Sequence, residues 1–180
     1  MTAPVSSLSH ASRVLAIGVG NASCGDDAVG LIVAQRLEET PLNGVTIMLS
    51  PGEGTALLAL WQDTDAVVLV DAVWSGSRPG TLHRFAVGTQ PLPAIFARVS
   101  SHTFGVAEAI ELARVLRQLP PVLVVYGVEG ATFALGAGLS AAVAAAVPQV
   151  VTRVQQELLA LTASSSQCEP PQGDAVGLVR

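Results

Sequence analysis

The chain has 180 residues, half of them hydrophobic, and a net charge of −5 with nine arginines and no lysine. That is enough apolar material for one ordinary domain with a sizeable core, and it excludes a chain disordered throughout. No basic cluster is present, so neither nucleic acid nor an anionic membrane surface is an expected partner.

No unbroken apolar run reaches the roughly 18 residues of a membrane span, and the amino terminus shows no basic region followed by an apolar one. A cytoplasmic protein is expected. Cys24 and Cys168 lie far apart, which suggests neither a zinc knuckle nor a disulfide framework, and Cys24 reads as a free loop thiol.

Residues 1–12, rich in Ser and Ala, read as a flexible arm, and a first strand follows over Arg13 to Val19. Gly18 and Gly20 turn the chain at its carboxyl end, and the acids Asp26 and Asp27 open a helix whose Val29, Ile32, Val33 and Leu37 recur at helical spacing. A dinucleotide fingerprint would need glycine at position 23, which is Ser23, and an acid about 20 residues further on, which Val45 to Ser50 lacks. Two carboxylates would also repel a pyrophosphate, so no nucleotide is expected. The acids are helix caps or cation ligands. Asp26, nearest the turn, is the better cap and should tolerate asparagine, which leaves Asp27 one step into the helix without a structural duty.

Pro41 and Asn43-Gly44 mark a turn before a second strand, Val45 to Leu49, and Thr55 can cap a short helix through Trp61. Ala66 to Val73 is the strongest strand, interrupted only by Asp71. A carboxylate in a strand buried on both faces is costly unless it caps a loop, meets an arginine or faces a crevice, and carboxyl ends of parallel strands are where crevices open.

Thr81 to Phe85 is a short strand, expected antiparallel at the sheet edge, with His83 solvated. Ser100-Ser101-His102-Thr103 precedes a helix with Val106, Ile110, Ala113 and Leu116 on its buried face. Serine caps would put His102 at that helix's start, where the dipole favours a neutral imidazole able to bind a metal. Taken alone it is more simply a surface or capping histidine.

Pro121 to Val128 is a fifth strand ending in Glu129, and Ser140 can cap a last helix to Leu161, kinked or split at Pro148. Residues 13–161 thus read as a single α/β domain, and residues 162–180 as a disordered tail.

The order of GVGN and DD, VLVDAV, SSHTFG, VYGVEG and a closing helix that opens at Leu139-Ser140 resembles the nickel-iron hydrogenase maturation endopeptidases over residues 13 to about 161. The resemblance implies a three-layer α/β/α sandwich with a mostly parallel sheet of about five strands. It also implies a catalytic domain that removes a carboxyl-terminal extension from the hydrogenase large-subunit precursor after nickel insertion. The family's metal-contacting acid, which can be glutamate, then falls on Asp27, its second acid on Asp71 and its histidine on His102. Its Asp-Gly-Gly-Thr loop appears as Gly52-Glu53-Gly54-Thr55.

Two carboxylates and one imidazole hold a first-row metal weakly, so the nickel is expected to arrive on the precursor. No serine or cysteine has a recognisable base partner, which favours a water nucleophile. A monomer is expected. A precursor-binding factor without protease activity, or a metabolite-binding α/β domain, are the competing readings, and the sequence leaves open whether Glu129, Glu53 or Cys24 adds to the site.

Overall fold

Apolar runs that are buried on both faces form the centre of the molecule, whose computed structural model describes residues 13–88 and 104–166. Strands β1 (Val14–Val19), β2 (Val45–Ser50), β3 (Ala66–Val73), β4 (Leu82–Ala86) and β5 (Val122–Glu129) form one sheet in the order β2-β1-β3-β5-β4. All neighbours are parallel except β4, which runs antiparallel to β5 at the edge, as its position in the sequence suggested. β3 and β5 are in register from Ala66 with Val122 to Val73 with Glu129, so their carboxyl ends finish level.

Alternation along the strands sorts the core into two layers. Val14, Ala16, Val68, Val70, Val124 and Tyr126 meet helices α1 (Val29–Glu38) and α4 (Ala141–Ser166) on one face. Leu15, Ile17, Val67, Leu69, Leu123 and Val125 meet α2 (Gly54–Leu60) and α3 (Val106–Leu116) on the other. The result is the expected three-layer α/β/α sandwich.

Local details differ from the sequence expectations for identifiable reasons. The acids do not start α1 but lie in a 3-10 turn, Gly25–Ala28, ahead of it. α2 is capped by Glu53, whose carboxylate accepts from the Thr55 amide at 3.3 Å. α3 buries Ala109 with Val106, Ile110 and Ala113, while Leu116, in the last turn before the left-handed Arg117, is 50% exposed. The serine cap of α4 is present, with the Val143 amide 3.4 Å from Ser140 Oγ. That helix then runs through Pro148 without splitting and continues to Ser166. Its buried stripe of Val143, Val147, Val150, Val154 and Leu158 outweighs the one missing N–H.

The glycines of the first β-α unit have a packing duty. A Cβ on Gly30 would lie 2.2 Å from Val19 O and 2.3 Å from Val70 O, and one on Gly18 would lie 2.3 Å from Gly30 O. The α1 backbone therefore rests directly on β1 and β3. Gly30→Ala is expected to cost about 1–3 kcal/mol or more, because the contacted atoms are strand backbone that cannot give way. Urea unfolding would measure it, and a wild-type midpoint would show that α1 can lift from the sheet at no cost.

Candidate active site

The connection leaving β1 carries the chain outward to β2, whereas β3 leads toward β5 and β4 on the other side. Strands β1 and β3 are therefore the topological switch point, and a crevice opens where their carboxyl ends diverge. Both sequence-predicted acids are placed there. Asp27 stands in the turn after β1, and Asp71 near the end of β3.

Asp71 is half-buried and accepts a hydrogen bond from the Ala72 amide at 2.8 Å. Burial, followed by the negative charge of Asp27, pushes its pKa up to about 7 against the opposing Ala72 amide. The two carboxylates thus feel one another, and a proton or a cation between them relieves the repulsion. Asp27 Oδ2 accepts from the Asn21 amide at 2.9 Å, which holds the carboxylate at the mouth of the glycine loop. A Cβ on Gly20 would lie 1.8 Å from Asp27 O, so this turn is shaped by its approach to Asp27. The loop glycines and one loop amide are accounted for by the protein's own packing and its own acid.

Asp26 corrects the capping expectation. It caps neither the 3-10 turn nor α1, since neither start has a side-chain cap bond. Its carboxylate is 0% exposed and accepts from Ala131 N at 2.7 Å, Thr132 N at 3.0 Å and Ser140 N at 2.6 Å. Burial alone would raise its pKa, but these amides together bring it below the usual aspartate value. Asp26 ties the β5-α4 loop to the turn that presents Asp27.

Glu129 likewise has a structural duty. It is 1% exposed and accepts from Ser75 N at 2.8 Å, Gly76 N at 2.9 Å and Ser75 Oγ at 2.7 Å. Burial opposes its charge, and the Ser75 hydroxyl and the amides hold its pKa below the ordinary range. His83 is not the solvated residue expected at the edge, because its Nε2 lies 3.4 Å from Glu129 Oε2 and its side chain is only 20% exposed.

Cys24 is a half-buried free thiol beside the acids. His102 lies outside the described residues. Among the described residues no three His, Cys, Asp or Glu side chains gather into a metal cluster. No described helix is long and apolar enough to cross a membrane.

Fold and site together define an α/β sandwich with a two-carboxylate crevice at its switch point. The model of the hydrogenase maturation protease family matches residues 32–157, and the chain belongs to that family of peptidases. It is 28% identical over 162 residues to the hydrogenase 2 maturation protease of Escherichia coli K12, covering 88% of this chain and 96% of that one. It is 29% identical over 154 residues to a putative hydrogenase maturation protease of Methanocaldococcus jannaschii, covering 81% and 96%. The solved structure of the hydrogenase-maturating endopeptidase HybD from E. coli superposes with a TM-score of 0.72 at 26% identity, covering 83% of this chain and 93% of that one.

Proposed function

We propose that the protein cuts a carboxyl-terminal extension from the large-subunit precursor of a nickel-iron hydrogenase, in the cytoplasm, once the precursor has received its nickel. The observation that carries the reading is the convergence of Asp27 and Asp71 at the β1-β3 crevice in a chain of this family. An acid pair whose charges repel is a site waiting for a cation, and the precursor's own nickel is the cation to be recognised. His102 is the third member of the set.

With two acids and one imidazole, the coordination is completed by donors of the precursor. Water attacks the scissile carbonyl and gives up a proton, the C–N bond breaks, and the leaving nitrogen takes up a proton, so the net change is hydrolysis of one peptide bond while Asp71 stays ionised on the nickel. Nickel bridging enzyme and precursor places the bond beside these groups, and such positioning is worth up to about 7–11 kcal/mol of barrier.

Mass spectrometry of nickel-loaded and nickel-free precursor after incubation with the enzyme tests this. Only the loaded form is expected to lose mass. Equal cleavage of both would point to an ordinary protease, and an unchanged mass of the loaded form would overturn the proteolytic reading.

A further inference from the structure

Two aromatic rings stack on one another past the acid-bearing strand, and while Phe133 packs partly buried against the core, Trp74 is left exposed. Trp74, three residues past Asp71, is 52% exposed and stacks on Phe133 with ring centroids 5.5 Å apart and an interplanar angle of 24°. A half-exposed tryptophan is unusual in a chain with only 4% aromatic residues, since burying that ring elsewhere would stabilise the fold.

The pair is held rigidly relative to the acids. Phe133 abuts Gly130, where a Cβ would come within 2.4 Å of the ring and 3.3 Å of Asp26 Cβ. Gly130 N donates to Val73 O at 2.9 Å, which fixes the loop against the residue before Trp74. Further along, Asp26 N donates to Thr132 O at 2.8 Å, Gly136 N to Ser23 O at 2.7 Å and Gly25 N to Ala137 O at 3.1 Å. The β5-α4 loop is therefore stitched to the turn that carries Asp27. The end of β3 thus leads from Asp71 to Trp74, and the loop that bears Phe133 is bonded to the turn that presents Asp27.

We propose that Trp74 and Phe133 form a specificity shelf that seats an apolar side chain of the precursor next to the scissile bond. This rests on the proteolytic reading above and adds to it a determinant of which precursor is cut. The occupant is apolar because the carboxylates flanking Gly130, those of Asp26 and Glu129, are buried and engaged by backbone amides. At the rings a cationic side chain would find these two acids already engaged, whereas an apolar one would exclude water from the open face of Trp74. Exposed rings of this kind, next to a rigid polar site, are where binding energy concentrates.

The test is steady-state cleavage of nickel-loaded precursor by wild type, Trp74→Ala, Trp74→Phe, Trp74→Gln and Asp71→Asn. Trp74→Ala is expected to raise KM about 10- to 30-fold with kcat within about twofold of wild type, and Trp74→Phe to recover most of the loss. Trp74→Gln keeps a long, solvated side chain at this half-exposed position and should show the same KM effect if the alanine variant folds poorly.

Apolar-to-Asp substitutions in the precursor beside the cleavage site supply the other side of the cycle. One of them should reproduce the KM rise and add nothing further when combined with Trp74→Ala. An unchanged KM in the Trp74 variants, or a fall in kcat alone, overturns the shelf. Cleavage by Asp71→Asn overturns instead the acid site on which it rests, so the two failures are distinguishable.

Discussion

Asp71→Asn is expected to lower precursor cleavage by at least about a thousandfold, the scale of losing a group that acts in the transition state, while making the folded enzyme more stable at neutral pH. The two effects have one origin. Burial and the neighbouring Asp27 raise the Asp71 pKa from 3.8 to about 7. Below pH 3.8 the carboxyl is protonated in both folded and unfolded chains and makes no difference. As pH rises from there, the unfolded chain ionises while the folded one keeps its proton, so stability falls, and above pH 7 the folded state bears the full cost of the charge. A gap of about 3 in pKa corresponds to about 4 kcal/mol, which solvent at this half-buried position reduces to roughly 2–4 kcal/mol.

Asparagine removes that cost. Urea unfolding should therefore show the variant gaining on wild type between pH 4 and pH 8, with the two alike near pH 3.5. Near wild-type cleavage would refute the site, and a stability difference that does not change with pH would refute the account of its electrostatics. On the proposed function, a cation carried in by the precursor would relieve the same repulsion, so that an acid pair that weakens the fold is kept for its role with substrate.

The strands and the acid at the end of β3 were legible in the sequence because their signals are local. A continuous apolar run specifies a strand covered on both faces, and one carboxylate within it has few places to go. The edge position of β4 was likewise readable from its short, half-polar pattern. The duties of Asp26 and Glu129 were not legible, because their partners are remote. Asp26 meets amides 105 and 114 residues along the chain, and Glu129 meets one 54 residues back. Cap reasoning looks only one turn ahead.

The split between Asp26 and Asp27 nevertheless followed the sequence in outline. One acid is structural and the other is left at the crevice, although the structural one anchors a loop and does not cap a helix. Trp74 is visible in the sequence only as an aromatic residue directly after the acid-bearing strand in a chain poor in aromatics, and its exposure depends on the packing around it. The continuous α4 was obscured by Pro148, whose local cost is visible in sequence while the long buried stripe that offsets it emerges only from the packing of the whole helix.

Asp26→Asn is expected to be among the most destabilising conservative changes in the protein, contrary to what a helix cap would predict. The aspartate offers two oxygens to three amides: Ala131 N and Thr132 N meet Oδ2, and Ser140 N meets Oδ1. An asparagine has one oxygen. Whichever way its amide turns, an NH₂ group faces either the Ser140 donor or the other two, and donors buried against donors leave each unsatisfied. The loss should be about 2–4 kcal/mol, close to that of Asp26→Ala.

The pH dependence has the opposite sign to that of Asp71. The Asp26 pKa is below 3.8 in the folded state, so its contribution is present above the unfolded pKa and is lost as pH falls through the folded one. The gap between wild type and variant should therefore persist from pH 8 to about pH 4 and shrink in more acid solution. Because the loop that bears Phe133 is released, cleavage should weaken along with stability, whereas Asp71→Asn separates the two. A stability within about 1 kcal/mol of wild type would show that the three amides find other acceptors, and the anchoring role assigned to Asp26 would fall.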